Sequence, residues 1–153
     1  MSSCLVDTNV LVRAIQKDDR QMRSRARDSL KPLHHLAVAI CVFPQNLIEL
    51  WSVSTRPIYA NGLGLSLSDA ERNLKRCEAL FHVFPETQSI FSEWKRLIAR
   101  YEVSGIKVHD ARLVAAMNVH GVRRILTFDV DDFKRYEGIQ ILHPQDVLSD
   151  QPF

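Results

Sequence analysis

Four acids carry the chemistry this chain could do: Asp7, Glu49, Asp110 and Asp129. Asp7 follows the apolar run Cys4-Leu5-Val6, and Asp129 follows Arg124 to Phe128, so each stands where a strand should end. Glu49 sits on a helical stretch beside Leu47, Ile48 and Trp51, and Asp110 lies in the first turn of a helix after Gly105. In open α/β sheets, ligands bind outside the carboxyl ends of the strands. An acid in an apolar patch costs free energy unless it is paired or coordinates a cation. Four acids meeting at one sheet edge repel one another, and a hard divalent cation removes that repulsion. Mg²⁺ prefers oxygen ligands, keeps several waters and recruits substrate phosphates. In two-metal sites one ion activates the attacking water and the other stabilises the leaving oxygen of an in-line phosphoryl displacement. Taken singly, Asp7 is equally a helix N-cap and Glu49 a solvated helix acid; the weight lies in four acids at matching topological positions.

The elements that must position them alternate along the chain. Strands are predicted at Cys4 to Val6, Leu36 to Phe43, Val83-Phe84, Arg124 to Phe128 and Ile139 to Leu142. Helices are predicted after Asp7, over Arg20 to Leu33 with an end near Pro32, and from Pro44 to Ser54. Three more should run from Ser68 to Leu80, Gln88 to Val103 and His109 to His120, with Gly121 just past the last. Pro44 suits a first helical position, and Ser68-Asp69-Ala70-Glu71 has the spacing of a capping box. Short turns are expected over Asp131 to Tyr136 and Pro144 to Leu148, and Arg56 to Leu65 reads as a loop. Strands alternating with longer helices imply an α/β fold, a three-layer α/β/α sandwich with a central parallel sheet.

At 153 residues the chain reads as one domain over 1–153, and 46% apolar with 25% charged residues is ordinary globular usage. Cys4, Cys41 and Cys77 form no metal-ligand or disulfide pattern and read as small core residues in a reducing, cytoplasmic setting. No signal peptide or membrane span is expected.

The four acid-bearing stretches resemble the motifs of the PIN-domain ribonucleases. Asp7-Thr8-Asn9-Val10-Leu11-Val12 resembles the opening motif, and Pro44 to Trp51 the second, which carries a Glu on a helix. His109 to Met117 resembles the third, and Thr127-Phe128-Asp129-Val130-Asp131-Asp132-Phe133 the fourth. Within that family the chain is most similar to the single-domain toxins of bacterial VapBC-type toxin–antitoxin systems. The resemblance implies that Asp7, Glu49, Asp110 and Asp129 hold Mg²⁺ or Mn²⁺. It makes Thr8 or Asn9 and Thr127 donors that orient those carboxylates, a support metal sites generally need. Asp132 either supports the second ion or caps the short turn before Phe133. The implied activity is endoribonuclease hydrolysis to a 5′-phosphate and a 3′-hydroxyl, with no covalent intermediate. The implied partners are RNA, an antitoxin whose C-terminal segment wraps the toxin, and a second copy in a homodimer.

Lys17, Arg20, Arg23, Arg25, Arg27 and Lys31, set against Asp18, Asp19 and Asp28, give one short segment a net charge of +3. Such a cluster suits a phosphodiester backbone, and it is equally an ordinary solvated helix face. Arg56, Arg112, Arg123 and Arg124 extend the basic patch, and His109 is a further candidate for phosphate contact. Trp51 and Trp94 read as core rather than as base-stacking platforms. Two other classes compete. One is a PIN-like module that binds protein or RNA without catalysis, which would show no metal-stimulated cleavage. The other is a haloacid-dehalogenase-like phosphatase, which needs a second acid where this chain has Asn9. The total charge of +2 rises to +6 when the four acids are set aside.

Overall fold

The computed structural model describes residues 2–16, 20–35 and 38–148, with the side chains of residues 33–35 outside the description. Five parallel strands form one sheet in the order β3-β2-β1-β4-β5. They are β1 (Ser3–Val6), β2 (Ala39–Val42), β3 (His82–Val83), β4 (Arg124–Leu126) and β5 (Gln140–Leu142). The helices are α1 (Thr8–Ile15), α2 (Arg20–His35), α3 (Pro44–Thr55), α4 (Leu67–Leu80), α5 (Gln88–Arg100), α6 (Val108–His120) and α7 (Pro144–Leu148). The expected three-layer α/β/α sandwich is therefore the fold observed.

Strand side chains alternate between faces, and each face builds its own core. Cys4, Val6, Ile40, Val42 and Leu126 pack with Val10 and Leu11 of α1, Ala26 of α2, and Leu47 and Leu50 of α3. Leu5, Cys41 and Ile125 point the other way, onto α5 and α6. Because both faces of β1 are covered, Cys4, Leu5 and Val6 are all fully buried, which is why this strand is apolar throughout. In α6 the apolar positions extend around the helix: Ala111, Leu113, Val114, Ala115, Ala116 and Met117 are buried. Gly121 ends it at φ 70°, the left-handed conformation that favours glycine.

Three local expectations need correction. Helix α2 does not end at Pro32 but carries it inside, continuing to His35. The N-cap of α4 is Ser66, whose hydroxyl accepts from the Asp69 N–H at 3.1 Å, so the helix starts ahead of the Ser68 box. Helix α5 stops at Arg100, and Glu102 takes a positive φ of 51° before the turn at Gly105–Lys107. Lys17, Asp18, Asp19 and Leu36 lie outside the described residues.

Candidate active site at the centre of the sheet

The strand order reverses between β1 and β4, which pair side by side with Val6 opposite Leu126. A crevice opens at such a switch point, and Asp7 and Thr127 are the residues immediately beyond it. Asp7 also starts α1, its carboxylate Oδ1 accepting from the Thr8 N–H at 2.8 Å. Its Oδ2 accepts from the Thr127 hydroxyl at 2.8 Å. Both partners are neutral, and Asp7 is only 7% exposed. Burial pushes its pKa up from 3.8 to about 7, with Asp110 and Glu49 adding to the rise and the Thr127 and Thr8 bonds opposing it.

Thr127 is fully committed. Its oxygen accepts from Asn9 Nδ2 at 3.1 Å and from the Asp129 N–H at 3.0 Å. A hydroxyl has two lone pairs and one proton, so the proton is left for Asp7. Asn9 Nδ2 also donates to Asp129 Oδ2 at 3.0 Å, and Asn9 Oδ1 accepts from the Phe128 N–H at 3.2 Å. Asn9 thus fastens the end of β4 to α1. It does so as an amide donor, at the place where the phosphatase alternative needs an acid.

Glu49 is held at both oxygens. Oε2 accepts from the Thr8 hydroxyl at 2.7 Å, and Oε1 accepts from Gln45 Nε2 at 3.0 Å. Gln45, one turn earlier on α3, also donates to the His109 carbonyl at 2.8 Å, which ties α3 to the helix bearing Asp110. Asn46 donates to Thr8 Oγ1 at 3.3 Å and accepts from the Phe43 N–H at 2.8 Å. Gln45 and Asn46 are buried, and sequence reasoning missed both. The available signal was two amides on the apolar face of α3, where a buried polar group requires partners.

Asp110 is half-buried, and its pKa is raised to about 6 by burial, then by Asp132, with Lys107 opposing and Glu49 and Asp129 adding. Asp132 pairs with Lys107 Nζ at 2.5 Å. Its side chain makes no cap of the short turn Val130–Phe133. The four acids and Asp132 therefore share one electrostatic neighbourhood. Among the described residues, however, no three such side chains stand close enough to hold an ion as they are.

The basic candidates lie elsewhere. Arg20, Arg23, Arg25 and Arg27 are on α2, where Arg27 Nε donates to the Ala14 carbonyl at 2.7 Å and so closes the end of α1. Arg112 pairs with Glu86 at 2.6 Å and donates to Gln45 Oε1 at 3.0 Å. His109 is exposed, with its carbonyl held by Gln45. Trp94 is half-buried and donates its indole N–H to the Val108 carbonyl at 2.8 Å, bracing the start of α6.

The Thr127 hydroxyl is open to a direct test. Thr127→Val keeps the shape but leaves Asp7 Oδ2, Asn9 Nδ2 and the Asp129 N–H without their partner. We expect a loss of about 2–3 kcal/mol in urea unfolding, against less than about 1 kcal/mol for Thr127→Ser. Equal losses would show that the hydroxyl is immaterial.

The model of the PIN domain matches residues 4–139, which span all four acids. The chain belongs to the PIN domain family. A search of curated protein sequences finds no match. Among solved structures, this PIN-domain chain is similar to VapBC2 from Rickettsia felis bound to a promoter DNA fragment. That match has a TM-score of 0.69 at 15% identity, covering 92% of this chain and 98% of the other. It is also similar to FitAcB from Neisseria gonorrhoeae, with a TM-score of 0.66 at 17% identity over 93% and 98% of the two chains. A third is VapC20 of Mycobacterium tuberculosis, described as a toxin that cleaves the sarcin–ricin loop. There the TM-score is 0.62 at 16% identity over 86% and 93%. At such identities the likeness is one of fold.

Proposed function

We propose that this PIN-domain protein is an endoribonuclease dependent on Mg²⁺ or Mn²⁺, and that it is the toxin of a toxin–antitoxin pair. One observation carries the reading: Asp7 is a buried carboxylate at the sheet's switch point, without a cationic partner among the described residues and in the field of Glu49 and Asp110. The donor set fits a hard divalent cation, being all oxygen. Asp7, Glu49, Asp110 and Asp129 would hold it. Bound there, such an ion lowers the pKa of water and offsets charge on a phosphodiester.

The chain's own part is positioning. Thr127 and the Thr8 N–H fix the two oxygens of Asp7, Thr8 and Gln45 fix Glu49, and Asn9 fixes Asp129. Gln45 couples the helix of Glu49 to that of Asp110. Lys107 holds Asp132 and tempers the negative field on Asp110.

An antitoxin partner is supported by the company the fold keeps, since the similar structures include toxin–antitoxin complexes. Apolar surface is present for one: Ile48, Leu67 and Leu80 are exposed, and Pro44, Leu47, Ile48, Trp51 and Leu74 line a groove between α3 and α4. We assign the chain to the homodimeric type on the same resemblance. No helix of the described residues is long and apolar enough to cross a membrane.

The test is cleavage of total tRNA and rRNA by the purified chain. We expect 5′-phosphate products with Mg²⁺ or Mn²⁺ and none with excess chelator. Equal cleavage in chelator would refute the metal, and no cleavage with either ion would refute the nuclease and favour a non-catalytic binding module.

A further inference from the structure

A cleft of about 660 Å³ adjoins the acids, walled by α1 and α3 and closed at its far end by the loop from Arg56 to Leu63. Its two walls repeat one spacing. On α1 it is lined by Thr8 and by the set Asn9, Val12, Arg13 and Gln16, and on α3 by the set Glu49, Ser52, Val53 and Arg56. Both sets run i, i+3, i+4, i+7, the period that keeps residues on one helix face. Each stripe therefore starts at the acid cluster and leads to a cation. Arg56 stands seven residues beyond Glu49, about 10 Å along the helix.

The cations in this cleft, like Arg27 and Arg123, have no carboxylate partner among the described residues, unlike the paired cations elsewhere on the surface. Arg72, Arg96, Arg100 and Arg112 are each paired with a carboxylate. Arg13 donates only to the Gln16 amide oxygen and Arg56 only to the Ser52 hydroxyl, so among the described residues neither charge is offset by an acid. Both end their helices, where positive charge is favoured, so their placement costs the fold little. In the loop after Arg56, Ile58, 76% exposed, lines the cleft, and its neighbour Tyr59, 92% exposed, stands just outside that lining. Turns anchor this loop: the Gly62 N–H donates to the Pro57 carbonyl and the Leu63 N–H to the Val53 carbonyl.

We infer that this cleft binds single-stranded RNA leading away from the scissile phosphate, with Arg13 and Arg56 on backbone phosphates and Tyr59 stacking on a base. The inference rests on the nuclease reading and adds the strand's path and the residues that line it. Unpaired cations beside a concentrated acidic site suit a polyanion whose reacting phosphate is held at the acids. An exposed ring selects for unpaired bases, since a base in a duplex offers no free face. Among the described residues, none of α2 lines the cleft.

The test is fluorescence anisotropy of the full chain in chelator with a labelled, unstructured RNA octamer and with its duplex. Arg13→Gln with Arg56→Gln should weaken octamer binding by at least about tenfold and flatten the log–log salt dependence by about 1.4, two phosphates at 0.7 each. Tyr59→Ala should weaken it about five-fold or more. Arg56→Lys should retain the salt slope, and unchanged melting temperatures exclude unfolding as the cause. The octamer should bind more tightly than the duplex. Octamer binding by the double variant within twofold of wild type would overturn the cleft, as would loss of binding only when Arg20, Arg23 and Arg25 are replaced. Unaltered RNA binding with loss of a co-expressed partner protein would assign the cleft to protein and overturn the proposal. A wild type that binds the octamer but cleaves nothing with Mg²⁺ or Mn²⁺ overturns the nuclease reading and not the cleft.

Discussion

Asp7→Asn should reduce RNA cleavage by about a thousandfold or more while making the metal-free protein more stable at pH 8. The first effect follows from losing several kcal/mol of charge stabilisation, at 1.36 kcal/mol per tenfold in rate. The second follows from burial. The folded carboxyl titrates near 7, against 3.8 when exposed. Below pH 4 it is protonated folded or unfolded and costs nothing. Between about pH 4 and 7 the unfolded chain has released the proton and the folded chain has not, so stability falls as pH rises. Above 7 the loss is constant, at most about 4 kcal/mol. Asn escapes it but forfeits a hydrogen bond. One face of residue 7 meets the Thr8 N–H and the other a Thr127 hydroxyl whose lone pairs are taken, so the amide NH₂ finds no acceptor. That costs about 1–3 kcal/mol. The variant should therefore be more stable than wild type at pH 8 and less stable at pH 4, read by urea unfolding in chelator. Saturating Mg²⁺ should reverse the order at pH 8, because an ion that binds only the wild-type native state stabilises only that state. A variant less stable at both pH values without metal would show that Asp7 is not strained by its burial.

Gly62→Ala should be the most damaging glycine substitution in the loop that ends the cleft. A Cβ there would stand 1.9 Å from the Arg56 carbonyl oxygen and 2.3 Å from its carbon. Backbone cannot move aside as a side chain can. Either the turn from Pro57 to Gly62 opens or Arg56 shifts, and both disturb hydrogen bonds that hold the loop. We expect a loss of about 2–4 kcal/mol, or about 5–12 °C in melting temperature for a chain of this size. Gly138→Ala is the control. It meets nothing within 4 Å and suffers only from its φ of 80°, a cost of about 1–2 kcal/mol. Equal effects of the two would mean that the Gly62 contact is not real.

What the sequence made legible, and what it did not, divides along a physical line. Asp7 and Asp129 were visible because a strand's apolar run stops abruptly at a polar residue, and that is a local pattern. The parallel sheet was visible for a similar reason, since β1 and β2 are apolar without alternation. Gln45 was not visible. Its role depends on reaching Glu49 on its own helix and the His109 carbonyl 64 positions away, and no local pattern encodes the second contact. The α2 cluster drew attention because its charges lie close together in sequence. Arg13 and Arg56 are 43 positions apart in sequence and line one cleft only because α1 and α3 lie side by side. Pro32 misled because a proline's clash is with the preceding turn, and in α2 the backbone continues as helix through it. The exposed aromatic that sequence reasoning lacked is Tyr59, in a stretch read as a loop from Pro57, Asn61, Gly62 and Gly64.

The pairing of β1 with β4 has a consequence for how the protein is made. Cys4 lies opposite Arg124 in that ladder, so the central seam of the sheet joins two segments 120 positions apart in sequence. A polypeptide grows from its amino terminus, and domains form as units once their parts have emerged. Asp7 and Glu49 leave the ribosome well before Thr127 and Asp129, which complete their surroundings. A nascent or truncated chain that lacks β4 has the acids without the seam that gathers them. If the assembled cluster is what cuts RNA, the ribosome that makes this protein holds a harmless chain until β4 has emerged.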